Sequence, residues 1–217
     1  MTDAARLIDY YAKRAHEYER IYEKPERQND LEILRNLFRK ALAGRNVLEI
    51  ACGTGYWTQG VAQTANSITA TDINEEVLQI ARSKTYGCKI RFQKADAVDL
   101  IPSSQENFTA GSAAAWWSHL RKPQIRGFLG RFHQLFPPGS LLVFMDNKFV
   151  PGSNTPISRT DDEGNTYQVR RLQDGSGHEI LKNFPNEGEI RAMVGNSAAE
   201  ISWTELTYYW LLAYKLK

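Results

Sequence analysis

The sequence predicts an α/β fold: a seven-stranded, mostly parallel sheet with helices on both faces, an N-terminal helical cap and a β-hairpin insertion. Three observations predict it. Short apolar runs typical of buried strands alternate with helical patterns five times before residue 147, which indicates a parallel sheet covered on both faces. Two strand-like segments at the end of the chain add antiparallel strands. The composition, with 42% hydrophobic and 24% charged residues, is that of a globular domain.

The first 44 residues predict the helical cap. Apolar and aromatic residues recur at steps of three and four over residues 7–22, and Pro25 is expected to end this first helix. A second helix is predicted over residues 30–43, with Asp30 as its N-cap. Gly44 is expected to stop that helix in the left-handed conformation.

Residues 45–147 predict the parallel core. Its strand-like segments are residues 46–51, 67–72, 89–93, 108–115 and 141–145. Parallel sheets of this kind bind their ligands beyond the carboxyl ends of the strands. Candidate site residues are therefore expected just after residues 51, 72, 95, 115 and 146.

The next segment, residues 148–184, is expected to be an insertion. Its first part is rich in Pro, Gly, Ser, Asn, Thr and Asp and predicts a long loop. The turn at 174–177, between residues 167–172 and 180–184, predicts a β-hairpin. Because the fifth parallel strand ends at the ligand edge of the sheet, this insertion is expected to form a lid over the site.

Residues 185–217 are expected to close the sheet. They predict a short helix over 187–194 and two antiparallel strands over 200–208 and 210–217. No internal repeat is apparent in the sequence. We therefore expect one domain over residues 1–217.

Charge and composition exclude several classes of protein. The formal net charge is +2, from 27 basic and 25 acidic residues, too balanced for charge-driven binding of nucleic acid. No apolar run approaches the roughly 18 residues of a membrane-spanning helix, and the first 30 residues hold no apolar block of a signal peptide. Cys52 and Cys88 fit neither a metal site nor a disulfide framework. A cytoplasmic monomer or homodimer without a metal, a nucleic-acid partner or a membrane partner is expected.

A glycine turn follows the first predicted strand. The two glycines of Cys52–Gly55 let the backbone approach a ligand closely, and the start of the next helix adds unpaired N–H groups. Asp72 ends the second strand, where its carboxylate can accept hydrogen bonds from a ribose diol. Asp96 ends the third strand, where it can accept a hydrogen bond from an adenine amino group. Three successive strand ends therefore predict a nucleoside site.

The residues around the turn favour one class of nucleoside. A dinucleotide fingerprint has a third glycine, G-x-G-x-x-G, but here Thr58 occupies that position, after the bulky Trp57. An acidic residue, Glu49, precedes the glycines. This pattern suits a ligand whose nearby end carries an ammonium and a carboxylate rather than two phosphates. S-adenosylmethionine has that shape.

At these positions the chain resembles the class I S-adenosylmethionine-dependent methyltransferases, which have a Rossmann-like sheet. The motifs that carry the resemblance are Glu49–Gly55, Asp72–Asn74, Ala95–Ala97 and the Pro138-Gly139 turn. They occur in the family's order and spacing over about residues 1–147. One departure is Thr109, where the family often has an aspartate that is generally structural. The resemblance implies S-adenosylmethionine as the cofactor and methyl transfer as the activity.

The resemblance also implies roles for individual residues. Gly53 and Gly55 would lie under the methionine moiety. Asp72 would hold the ribose hydroxyls, with Ile73 against the adenine. Asp96 and the backbone of Ala97 would read the adenine edge. The other positions that we assign to the cofactor are Tyr11, as the aromatic lid residue near the methionine carboxylate, and Glu49, Ala51, Trp57, Thr58 and Ala114.

A narrower resemblance concerns the methyl acceptor. The segments 55–58, 116–120 and 169–175 are similar to those of bacterial methyltransferases that esterify small phosphonates. His119, after the fourth strand, is a candidate general base, a candidate anion ligand or a helix cap. Tyr18 and Trp116 are further candidates for the acceptor site.

Three cations on the predicted hairpin are candidate ligands of an anionic acceptor: Arg170, Arg171 and Lys182. Successive residues of a strand face opposite sides, so the two arginines cannot both line one pocket. The alternative is a solvated strand edge whose charges discourage aggregation.

We therefore expect a methyltransferase that acts on a small molecule, at an oxygen of an anionic or hydroxyl-bearing acceptor. A hydroxyl acceptor requires a base, for which His119 is the candidate, whereas a carboxylate or phosphonate does not. Two alternatives stay open at this point. One is N-methylation of a small amine, and the other is a subunit that binds S-adenosylmethionine without catalysis.

Overall fold

A computed structural model of the chain describes residues 2–99 and 107–217. The described residues form six α-helices and ten β-strands. The helices are α1 Asp3–Arg14, α2 Gln28–Leu42, α3 Tyr56–Val61, α4 Glu75–Arg82, α5 Ile125–His133 and α6 Glu187–Val194. The strands are β1 Asn46–Ile50, β2 Ser67–Asp72, β3 Lys89–Lys94, β4 Ala110–Ala114, β5 Leu141–Asn147, β6 Arg159–Thr160, β7 Thr166–Arg171, β8 Gly177–Leu181, β9 Ala198–Glu205 and β10 Tyr209–Leu216.

Seven of these strands form one sheet in the order β3-β2-β1-β4-β5-β10-β9. Neighbours from β3 to β5 are parallel, and β10 and β9 are antiparallel. Leu48 of β1 lies opposite Thr69 of β2 on one side and Gly111 of β4 on the other. The strand order therefore reverses at β1, the position at which open α/β sheets bind ligands. The predicted fold class is confirmed.

The core lies on both faces of the sheet. Val47 packs into a cluster with Leu31 and Leu34 of α2, whereas Leu48 packs on the opposite face with Phe128 of α5. This two-sided burial explains why β1 is apolar at Val47, Leu48 and Ile50, with Asn46 and Glu49 as its two polar residues.

The N-terminal cap differs in detail from the prediction. The first helix is α-helical only over α1 and continues as a 3₁₀-helix over Ala15–Tyr22. Asp30 is not an N-cap, because the 3₁₀ turn Pro25–Arg27 leads the chain into α2 two residues earlier. The buried Asp30 instead accepts a hydrogen bond from the backbone N–H of Tyr208, at 2.8 Å, and so holds the turn between β9 and β10. Gly44 has φ +67°, as predicted for a helix stop.

The predicted hairpin is part of a separate three-stranded antiparallel sheet, β6-β7-β8. The strand β6 was not predicted, because two exposed residues carry no hydrophobic alternation. Leu7 and Tyr10 of α1 pack against Ile180 of β8 and against Leu172, which directly follows β7. The cap and the insertion therefore support each other.

The closing strands are β9 and β10, slightly shifted from the predicted ranges because residues 206–208 form the turn between them. The helix α6 has the predicted bounds. Asn186 caps it and Glu189 completes a capping box. Within the described ranges, none of the helices combines the length and apolar character needed to span a bilayer.

Candidate active site

A cavity of about 610 Å³ lies at the carboxyl ends of the parallel strands, with α1 over it. Most of the predicted site residues line this cavity. They are Tyr11, Tyr18, Ala51, Gly53, Asp72, Ile73, Asp96, Ala97, Ala114, Trp116 and His119. They come from the ends of four strands and from the cap, so one concave site joins residues that are far apart in the chain.

The glycine turn forms one wall of the cavity. Ala51, Gly53 and Gly55 all have positive φ, at +50°, +56° and +79°. Gly53 lines the cavity, and its backbone N–H donates a hydrogen bond to Asp72 Oδ2 at 2.9 Å. A Cβ on Gly55 would lie 2.5 Å from the hydroxyl oxygen of Tyr86, so this glycine serves the packing of the turn.

Asp72 is held rigidly beside the turn. Its Oδ1 accepts a second hydrogen bond, from the backbone N–H of Asn74 at 2.9 Å. Burial raises the pKa of Asp72, and the N–H groups of Asn74 and Gly53 oppose that rise. The side chain of Asn74 does not cap α4 but donates to the carbonyl of Ile8, at 3.2 Å, and so ties α1 to the same wall.

Four predicted cofactor residues do not line the cavity. Besides Gly55 they are Glu49, Trp57 and Thr58, which are buried behind the turn. The indole N–H of Trp57 donates to the hydroxyl of Tyr22 at 3.0 Å. Oε2 of Glu49 has no hydrogen-bond partner among the described residues. Burial raises the pKa of Glu49 to about 7.

Asp96 and Ala97 follow β3 and line the cavity. Asp96 is exposed, and its Oδ1 accepts a hydrogen bond from the backbone N–H of Val98 at 2.8 Å. Ile73 and Val77 supply apolar surface to the same cavity. A carboxylate next to apolar side chains suits a flat, amino-bearing ring such as adenine.

His119 and Tyr11 meet over the same cavity. The hydroxyl of Tyr11 lies 2.9 Å from Nε2 of His119, and Nδ1 of His119 lies 2.8 Å from the carbonyl oxygen of Leu181. Because a carbonyl only accepts, we assign the proton to Nδ1, which leaves Nε2 to accept the hydroxyl proton of Tyr11. Burial, reinforced by the Lys182 ammonium, lowers the pKa of His119 well below its usual range. The imidazole is therefore neutral at physiological pH.

A smaller cavity of about 20 Å³ adjoins the main one and shares Tyr11, Tyr18 and Ala115 with it. Arg170 and Lys182 line this smaller cavity. The guanidinium of Arg170 donates a hydrogen bond to the side-chain oxygen of Gln168 at 2.9 Å, so the partner of this cation is a neutral amide.

Because successive side chains of β7 face opposite sides, Arg170 and Arg171 point in different directions. Arg171 is exposed and lines neither cavity, whereas Arg170 faces inward. Lys182 is 4% exposed, and its Nζ donates to Asp146 Oδ1 at 2.9 Å and to the hydroxyl oxygen of Ser118 at 2.5 Å.

Asp146, at the end of β5, was not among the predicted site residues. It is completely buried and forms the ion pair with Lys182. Its position at the carboxyl end of a parallel strand was a usable signal, because ligand sites gather there. Its partners, Lys182 and the N–H of Ser118, are not encoded in any local pattern.

Comparison with known proteins identifies the family. Residues 47–139 match a family model described as a methyltransferase domain. A solved structure described as a DhpI–SAH complex superposes with a TM-score of 0.77 at 25% identity, covering 98% of this chain and 96% of that one. Residues 47–139 of this chain are therefore a methyltransferase domain, and the chain has the class I methyltransferase fold. The family resemblance predicted from the motifs is confirmed.

Three further proteins are similar to this chain. A DhpI–SAM–HEP complex superposes with a TM-score of 0.80 at 24% identity, covering 99% of this chain and 97% of that one. A ubiquinone biosynthesis O-methyltransferase of Xanthomonas euvesicatoria is 24% identical over 165 residues, 75% of this chain and 66% of the relative. A malonyl-[acyl-carrier protein] O-methyltransferase of Priestia megaterium is 29% identical over 109 residues, 49% of this chain and 38% of the relative. The methyltransferase thus spans less than two thirds of the length of these curated relatives.

The cofactor prediction is confirmed, since both DhpI structures are complexes with S-adenosylmethionine or its demethylated product. The cavity of the methyltransferase fits that group. Asp72 lies between the glycine turn and the apolar pocket around Ile73, and the volume of about 610 Å³ leaves room for an acceptor. The role of each residue toward the cofactor stays a prediction.

Proposed function

We propose that this methyltransferase transfers the methyl group of S-adenosylmethionine to an oxygen atom of a small anionic molecule. The observation that carries the proposal is the inward guanidinium of Arg170, which has a neutral partner, Gln168, and lines a small cavity next to Tyr11 and His119. An arginine fork in such a position fits a carboxylate or a phosphonate. The two curated relatives named above, both described as O-methyltransferases, support oxygen as the acceptor atom.

The chain's own residues would hold the cofactor along the main cavity. Asp72 would accept hydrogen bonds from the ribose hydroxyls, and the backbone at Gly53 would lie against the methionine moiety. Asp96 would accept from the adenine amino group. When bound, the cofactor supplies an electrophilic methyl group on a good leaving group. The protein then needs chiefly to align the acceptor oxygen and to exclude water.

The neutral state of His119 favours an acceptor that is already ionised. A histidine whose pKa is lowered well below its usual range is a weak general base. Nε2 of His119 is also engaged with the Tyr11 hydroxyl. We therefore propose that the His119–Tyr11 pair orients the acceptor, while a carboxylate or phosphonate oxygen attacks without losing a proton.

A screen by mass spectrometry tests this proposal. The protein is incubated with S-adenosylmethionine and with matched sets of small carboxylic acids, phosphonates, phenols and amines. A mass gain of one methyl group confined to the acids supports the proposal. Methylation of amines alone contradicts it. Tight binding of S-adenosylmethionine without turnover of any set would indicate a non-catalytic subunit.

Binding of the cofactor is measured separately by calorimetry. S-adenosylmethionine and its demethylated product are expected to bind at micromolar concentration or tighter. NAD serves as the control and is expected to bind far more weakly, because Thr58, preceded by the bulky Trp57, replaces the third glycine of a dinucleotide site. Comparable binding of NAD would contradict the assignment of the main cavity.

A further inference from the structure

We propose that Asp146 is the positioning residue of the acceptor pocket, acting through Lys182. The inference rests on the proposed function, because it assumes that an anionic acceptor in the main cavity turns its charged group toward the adjoining smaller cavity. It adds a residue that no sequence motif indicated. It also assigns different roles to the two cations that line this cavity, Arg170 and Lys182.

The carboxylate of Asp146 is saturated with donors. Oδ1 accepts from Lys182 Nζ at 2.9 Å and from the backbone and side-chain N–H groups of Asn147 at 2.7 and 3.2 Å. Oδ2 accepts from the backbone N–H of Ser118 at 2.8 Å. Both oxygens face donors, so an amide in place of the carboxylate would turn its NH₂ group toward a donor in either orientation.

These contacts join three separate elements. Asp146 lies in β5, Ser118 lies in the turn that carries His119, and Lys182 directly follows β8 of the insertion. The turn and the insertion are also joined directly, since Nδ1 of His119 donates to the carbonyl of Leu181. Asp146 therefore fixes the position of the insertion relative to His119.

Lys182 is left with one donor for a ligand. An ammonium carries three protons. Among the described residues its hydrogen-bond partners are Asp146 and the hydroxyl of Ser118, and Lys182 lines the smaller cavity. The third proton is available to an anion there. Arg170, whose hydrogen-bond partner in the described part of the chain is the neutral Gln168, then supplies net positive charge, and Lys182 supplies an oriented hydrogen bond.

A double-mutant cycle tests the proposal, with methylphosphonate as the anion probe. Calorimetry measures its binding to the complex with S-adenosylhomocysteine, so that no turnover interferes. Asp146→Asn is expected to weaken the probe at least tenfold. In a Lys182→Met background the same substitution is expected to change the affinity by less than twofold, because the residue through which it acts is gone. Affinity for S-adenosylhomocysteine should stay within twofold throughout.

Asp30→Asn is the matched control, because Asp30 is another buried aspartate that accepts a backbone hydrogen bond, away from both cavities. It is expected to lower the melting temperature without weakening the probe. If Asp146→Asn does not fold, Ser118→Ala carries the test. It removes the other acceptor that orients Lys182, and a threefold or greater loss of probe affinity is expected with unchanged binding of S-adenosylhomocysteine.

Three results would overturn the inference. First, the losses of probe affinity caused by Asp146→Asn and Lys182→Met could multiply independently. Second, Asp146→Asn, or Ser118→Ala if it replaces that variant, could leave the probe affinity unchanged. A parallel loss of S-adenosylhomocysteine binding would reduce Asp146 to a purely structural role. Failure of the unaltered protein to bind methylphosphonate is a different result, because it contradicts the proposed anionic acceptor and the inference falls with it.

Discussion

Two buried carboxylates on the same sheet have pKa values that are shifted in opposite directions. Glu49 of β1 is 3% exposed and Asp146 of β5 is completely buried. Burial raises the pKa of Glu49 to about 7, and its Oε2 has no hydrogen-bond partner among the described residues. Burial opposes the ionisation of Asp146 too, but the Lys182 ammonium and the N–H of Ser118 lower its pKa below the ordinary value. Desolvation alone therefore does not decide charge; the partners decide it.

The same contrast separates the two halves of the site. In the proposed site, the cofactor half would be formed by a backbone turn and by aspartates at strand ends, close to one another in the sequence. The acceptor half would be formed by charged side chains from β5, β7 and the end of β8, joined by contacts across the fold. We expect substitutions in one half to spare ligand binding in the other, and four predictions test this contrast.

The largest effect is expected from Asp146→Ala. It leaves the Lys182 ammonium buried without a counter-charge and orphans the N–H of Ser118, which should cost about 3–5 kcal/mol of unfolding free energy. Denaturant titration measures the change. A loss below about 1 kcal/mol would show that water or another group compensates, and that the pair is less buried than the structure indicates.

A pH-dependent effect is expected from Glu49→Gln in the absence of added cofactor. The folded pKa of about 7 lies above the ordinary value of 4.5. The stability that the protonated Glu49 contributes is full below pH 4.5 and is lost as the pH rises through about 7. Glutamine stays neutral, so the variant should be more stable than the native protein by about 3 kcal/mol above pH 7.

The measurement for Glu49→Gln is unfolding by urea at pH 5 and pH 8. The difference between the variant and the native protein should be small at pH 5 and large at pH 8. An equal difference at both values would mean that Glu49 does not titrate between them.

Cofactor affinity is expected to fall by about 1.5–3 kcal/mol in Asp72→Ala, the range for a hydrogen bond to a charged group. Calorimetry with S-adenosylmethionine measures this, with the melting temperature as a check on folding. Probe binding in the acceptor half should change far less. An unchanged cofactor affinity in a folded variant would remove Asp72 from the site.

The smallest effect is expected from Arg170→Ala. The Michaelis constant for an anionic acceptor should rise about tenfold, which is about 1.4 kcal/mol, with cofactor affinity nearly constant. Arg171→Ala is the matched control, because its side chain points away from both cavities. Equal effects of the two substitutions would show that net charge, and not the inward position, matters.

Local patterns were enough to predict the sheet and to place several candidate cofactor residues at one of its edges. Apolar runs, glycine turns and helix stops such as Gly44 act over a few residues, and parallel strands bring their ends to one edge. Asp72, Asp96 and Gly53 therefore line one cavity as expected. The N-cap at Asp30 was wrong and β6 was missed, because a preceding 3₁₀ turn and a two-residue strand leave no periodic signal.

By itself the sequence determined the fold class, the family and the cofactor, since the hydrophobic periods and the glycine motif are local. The tertiary structure alone decided which charges meet. Asp146 reaches Ser118 and Lys182, which lie 28 and 36 residues away, and His119 reaches a carbonyl 62 residues away. It also decided that Arg170 lines the smaller cavity while Arg171 does not. Such contacts depend on how the insertion packs against the ends of the strands, and no repeat within the chain encodes that packing.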